Sequence, residues 1–257
     1  MAGAPARRLP LLAVIRDAFA LPWKHRTELF RAASLPMLAL IAVSLLWEII
    51  PWGNGFLAQW IPHLFYLLVL SWLAVVVHRL VLLEDSGAGG HFDLRFWKRV
   101  GVYVLAFATL AIMFLAAKFL LFNGVGVVTG ILYVPTGEAP NLAARNWLHW
   151  GTSIVALLAV ARFVMVLPSI AIDRGHELGE AWRISRGQTW RLAVIYGLLP
   201  WSMGWLIWLL NRDGSSNLEY AVLMVISCLL SVVEIVALSL SFGALTAPEP
   251  PPTDPRA

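Results

Sequence analysis

Six apolar stretches, residues 32–50, 57–77, 101–122, 147–170, 192–210 and 220–242, take up about half of this chain. A helix rising 1.5 Å per residue needs about 20 apolar residues to cross ~30 Å of hydrocarbon, and each stretch is of that length. A lone strand would leave its amides unpaired in lipid, so the expected fold is all-α, a polytopic transmembrane bundle of six helices. Composition agrees, because 60% of the 257 residues are apolar and only 13% are charged. A water-soluble domain has an apolar share of about half.

Lys and Arg crowd into alternate connections. The N-terminal arm holds six (Arg7, Arg8, Arg16, Lys24, Arg26, Arg31), residues 79–99 hold four and residues 173–191 hold four, whereas the opposite side has only Arg145 and Arg212. Retention of positive charge on the inner leaflet is expected to make both termini cytoplasmic. These cations flank spans, as topology requires, so no nucleic-acid partner is expected despite a pI near 9.6. Tryptophans gather near the expected helix ends, as an indole with an apolar ring and one N–H prefers the headgroup level. The single cysteine, Cys228, excludes an intramolecular disulfide.

A cytoplasmic stretch mixing bulky apolar and basic residues precedes the first span (AFALPWKHRTELFR), the third (FDLRFWKRV) and the fifth (ELGEAWRISRGQTWR). Each is expected to lie on the inner surface as a short amphipathic helix, which makes the chain three copies of surface helix plus hairpin. The organisation expected is an arm at 1–31 containing the first such helix, a six-span domain at 32–245, and a Pro-rich disordered tail at 246–257. No cleaved signal peptide is expected. Residues 123–137, NGVGVVTGILYVPTG, carry an apolar run too short to cross, which extends the third helix or rests in the outer interface.

Polar groups at mid-membrane cost about 3 kcal/mol or more on insertion scales, so they are the sites to weigh first. Arg162 and Glu234 lie fifteen and fourteen residues inward from the starts of their spans, at matching depth, and are expected to pair. Such a pair fixes helix packing or forms a polar site in a cavity. Glu48, His63, Lys118 and His149 fall near outer helix ends, within snorkelling reach of the interface. A carboxylate with two imidazoles is also the composition of a metal or haem site, yet the fixed i, i+4 spacing of a metal motif is missing, and no cofactor or metal is expected. HExxH, G-x-S-x-G and Walker motifs do not occur, and Ser153, Ser231 and Ser239 read as packing residues. Pro200, beside Gly197 and Gly204, and Pro168 are expected to kink their helices.

The stretch RFVMVLPSIAIDRGHELGEAWRISRGQTWRL, residues 162–192, resembles the signature of a bacterial group of six-helix inner-membrane proteins. It looks like the membrane domain attached to some glycerophosphoryl diester phosphodiesterases and like stand-alone relatives. In that group an Arg and a Leu-Pro in one span lead to an acidic turn, an Ala-Trp-Arg-x-Ser/Thr surface helix, and Gly-x-x-Trp-Arg opening the next span. Arg162, Pro168, Ala181, Trp182, Gly187 and Trp190 match it, with Arg183 and Arg191 completing the interfacial motif. A phosphodiesterase needs a soluble metal-binding barrel, and spans, connections and tail use all 257 residues, so hydrolase activity is not carried over. The expected role is a non-enzymatic structural, regulatory or lipid-interacting membrane component. Its expected partners are membrane lipids, with a second copy or another membrane protein as the kind of protein partner. The alternative is a small transporter or channel with its polar site around Arg162 and Glu234.

Overall fold

In a computed structural model, residues 9–49, 56–84, 93–129, 142–175, 177–210 and 217–247 are described. About nine-tenths of them are helical and none is in a strand, so the all-α class holds. The α-helices are α1 (Leu11–Lys24), α2 (Arg26–Ile49), α3 (Phe56–Leu83), α4 (Leu94–Val128) and α5 (Leu142–Val160). They continue with α6 (Val166–Ala171), α7 (Leu178–Ile184), α8 (Thr189–Ala193), α9 (Leu199–Leu210) and α10 (Asn217–Thr246).

Four helices contain segments long and apolar enough to cross a membrane: residues 26–46, 63–83, 94–128 and 222–246. A fifth results if the pair 144–160 and 163–171, bent by 48°, counts as one crossing. At the bend Pro168 has no N–H for the Val164 carbonyl, and the turn before α6, Phe163–Met165, is a 3₁₀ helix. The stretch expected to form the fifth span is segmented: α8, a π-helical turn at Val194–Leu198, then α9, only 12 residues long. Pro200 explains the widening, because an α-helix would drive its ring into the Tyr196 carbonyl. Gly197 is the complementary residue at this turn, since a Cβ there would fall on the Leu157 side chain of α5.

The short helices expected ahead of the first, third and fifth stretches are not all separate elements: the first segment, residues 18–31, is divided between the end of α1 and the opening turns of α2. Residues 94–100 are not a separate element; they are the first turns of α4, a single 35-residue helix whose length of about 52 Å exceeds the hydrocarbon thickness. Asp93 caps it by accepting from the Arg95 N–H at 3.0 Å, and no proline interrupts the helix from there to Val128. Ahead of the first and fifth stretches, α1 and the seven-residue α7 are distinct helices. The run NGVGVV continues α4 to Val128, while residues 130–137, the connections at 51–55 and 211–216, and the tail from 248 lie outside the described residues.

Helices α3 and α10 form the centre: α3 packs on α2, α4, α6 and α10, and α10 also meets α1, α2 and α9. Leu73, Val75 and Val77 on α3 and Val236 and Ala237 on α10 are fully buried. The outer surface is apolar, with Leu105, Ile112, Leu115 and Phe119 of α4 all exposed. Contiguous apolar surface of this kind needs lipid or a partner to cover it. Hydroxyls on these helices bond back to their own helix, Ser44 to Leu40, Thr152 to Leu148 and Ser241 to Ala237, which satisfies them in apolar surroundings.

The three basic segments meet at one end. Arg99 Nε donates to both Asp173 carboxylate oxygens at 2.8 Å, Arg79 lies 3.9 Å from the same carboxylate, and the Leu9 N–H donates to Gln188 Oε1 at 3.1 Å. Gly243, near the end of α10, packs beside Leu82 at the end of α3, so α10 finishes at this cationic end as well.

Candidate functional site

Arg162 does not pair with Glu234. It sits at the bend between α5 and α6, where its Cζ lies 3.4 Å from the Trp182 ring centroid and its Nη2 donates to the Trp182 carbonyl at 2.6 Å. That carbonyl belongs to the last turn of α7, whose carbonyls lack intrahelical partners and carry partial negative charge, so a guanidinium is well matched to it. Matching depth along two helices does not fix azimuth, and the bend turns Arg162 toward α7 instead of α10. Ser185 completes the joint by donating to the Arg162 carbonyl at 3.0 Å and to the Ala181 carbonyl at 2.7 Å.

The signature residues thus form one structural joint. Pro168 and Ala181 are buried, Trp182 covers the Arg162 guanidinium, and Gly187 has φ +76°, a left-handed conformation that disfavours any side chain. Arg191 lies 5.2 Å from the Trp190 ring centroid and donates to Gln188 Oε1 at 2.9 Å, so the Gln188 oxygen ties α8 to the arm at Leu9. Arg183 is more peripheral, its guanidinium 3.7 Å from Glu180 and largely exposed.

Glu234 faces elsewhere. It is seventeen residues from the first residue of α10 and twelve from the last, and it lines a partly open cavity of about 370 Å³ with walls from α3, α4, α5, α6, α9, α10 and the π turn. Beside it are Tyr103, Tyr196, Ser71 and Ser231, with Phe107 and Phe114 among the apolar walls. Ser231 donates to the Ser227 carbonyl. The Ser71 hydroxyl is buried with no hydrogen-bond partner, and among the described residues Glu234 makes no ion pair or hydrogen bond.

Next to this cavity is a polar group that sequence reasoning missed. His78 is fully buried, with Nδ1 2.7 Å from the Ser239 hydroxyl and Nε2 3.1 Å from the Tyr103 hydroxyl. Both ring nitrogens are satisfied, which is the condition for burying an imidazole. The signal in the sequence is faint: a histidine directly after an apolar span, and a serine near the end of another. Ser239 therefore does more than pack.

Of the four outer-end residues, Lys118 and His149 come together. Lys118 Nζ donates to His149 Nε2 at 3.2 Å, and the imidazole edge meets Phe122 and Trp150. His63 is exposed on α3, and Glu48 lies in the last turn of α2 with its side chain outside the described residues. Among the described residues no three His, Cys, Asp or Glu side chains converge as metal ligands would.

At the cationic end, a second cavity of about 370 Å³ is lined by Arg95, Lys98, Arg99, Val102, Ile170 and Asp173. Three cations face one carboxylate, and Asp173 holds its φ at +57° to meet Arg99. Among the described residues Arg95 and Lys98 have no acidic partner. Trp97 between them is partly exposed, beside Trp72.

Comparison with known proteins gives no relative: no family model, no curated protein and no solved structure matches this chain.

Proposed function

We propose that this chain is a non-enzymatic component of the bacterial cytoplasmic membrane that engages anionic lipid headgroups at its inner leaflet. In this reading it crosses six times, α8 through α9 completing the fifth crossing, with both termini cytoplasmic. The observation that carries the reading is the pocket of Arg95, Lys98 and Arg99, in which Asp173 offsets only part of the positive charge. Arginine and lysine near the inner surface each attract anionic lipid by about 1 kcal/mol, and the apolar Val102 and Ile170 lining the pocket suit the start of an acyl chain. The joint of Arg162 with Trp182 supports it by holding α7 against the bundle, with Trp182 and Trp190 partly exposed as interfacial anchors. The likeness of residues 162–192 to the six-helix inner-membrane group is in keeping with this placement.

The test is native mass spectrometry of the protein released from micelles containing equal phosphatidylglycerol and phosphatidylethanolamine. Phosphatidylglycerol should be retained about tenfold over its zwitterionic competitor, since two contacts worth about 1 kcal/mol each amount to more than one decade. The doubly substituted Arg95→Ala, Lys98→Ala protein should lose the preference. Equal retention of the two lipids by the unaltered protein rejects the reading.

A further inference from the structure

The cavity around Glu234 shares no lining residue with the cationic pocket. From its chemistry we infer that it is a binding site for a lipophilic organic cation, an ammonium with N–H donors and an apolar substituent.

Three observations converge on that class. The first is the pair of uncommitted acceptors. The Glu234 carboxylate has no ion pair among the described residues, and the Ser71 hydroxyl, on a residue only 1% exposed, has no hydrogen-bond partner. A buried polar atom left without a partner is unfavourable, and a bound donor removes that cost. The second is the wall. The rings of Tyr103, Phe107 and Phe114 line the same space, and aromatic rings attract a desolvated cation while tolerating an apolar body. The third is size. A volume of about 370 Å³ falls within the ordinary range for organic ligands, and one carboxylate is too few ligands for a bare metal ion.

The elements around the site are built to leave this space open. Pro200 and the π turn at Val194–Leu198 bow the chain opposite α10, and Tyr196 projects from that turn onto the cavity. π turns of this kind recur at functional sites. On the far side Tyr103 is held by His78, which Ser239 holds in turn, so the Tyr103 ring is fixed in place.

The experiment is calorimetric titration of the protein in phosphatidylcholine nanodiscs with 2-naphthylmethylammonium, with empty nanodiscs as the partition blank. The neutral analogue 2-naphthylmethanol is titrated in parallel. The ammonium should bind saturably and at least tenfold more tightly than the alcohol. Glu234→Gln should lower its affinity at least tenfold, and Ser71→Ala, which barely alters volume, by about two- to tenfold. Circular dichroism identifies any variant that does not fold, and Ser71→Ala then decides alone. Heats equal to the blank, equal affinity for amine and alcohol, or an unchanged affinity in the folded variants would overturn the inference. Because phosphatidylcholine carries no net charge, this result is independent of whether the inner pocket binds anionic lipid.

Discussion

Removing the Arg162 guanidinium should weaken the fold by a predictable amount and through a predictable partner. Arg162→Ala deletes a charged hydrogen bond to the Trp182 carbonyl at 2.6 Å, worth about 1.5 to 3 kcal/mol, and a ring contact at 3.4 Å, worth about 0.5 to 1 kcal/mol beside a half-exposed indole. Against this, Arg162 Nε is buried without a partner, and its removal relieves about 1 kcal/mol or more. The net loss should be about 1 to 3 kcal/mol. Trp182→Leu should cost only the ring contact, because the accepting oxygen belongs to the backbone. A double-mutant cycle between the two positions should therefore show coupling of about 0.5 to 1 kcal/mol. The cycle between Arg162→Ala and Glu234→Gln should close to within about 0.5 kcal/mol, since these side chains share no contact. Reversible unfolding in mixed micelles, followed by circular dichroism, supplies the energies. Coupling of Arg162 to Glu234 larger than its coupling to Trp182 would refute the assignment and restore the buried ion pair expected from depth alone.

Two further predictions concern packing and sidedness. Gly197→Ala should destabilise by about 1 to 3 kcal/mol, because its Cβ meets Leu157, and Leu157→Ala in the same chain should recover part of that loss. With Cys228 replaced by alanine, a cysteine at Gly53 should react with a membrane-impermeant maleimide in intact cells, and one at Gly89 only after lysis. The reverse pattern places the basic end outside.

Much of the fold was legible along the chain. The lengths of the apolar runs give most of the helices, Pro168 and Pro200 mark the bend before α6 and the π turn before α9, and the alternation of Lys and Arg groups the connections that the structure brings together through Asp173 and Gln188. The candidate sites were legible only in part. Arg162 and Glu234 stood out as charges among apolar residues, whereas no motif or spacing singled out Ser71 or Tyr103. His78 was hidden because it comes directly after the last apolar residue of its run, where a histidine reads as interfacial.

Hydrophobic periodicity and charge placement are local properties, so the sequence by itself determined that the chain is helical and that several of its segments are long and apolar enough to cross a membrane. Azimuth is not local. Whether Arg162 turns toward α7 or α10 depends on a bend at Pro168 and on an oxygen twenty residues further along the chain, and only the tertiary structure decided that. The same holds for Glu234, whose surroundings come from several other elements that no spacing rule connects.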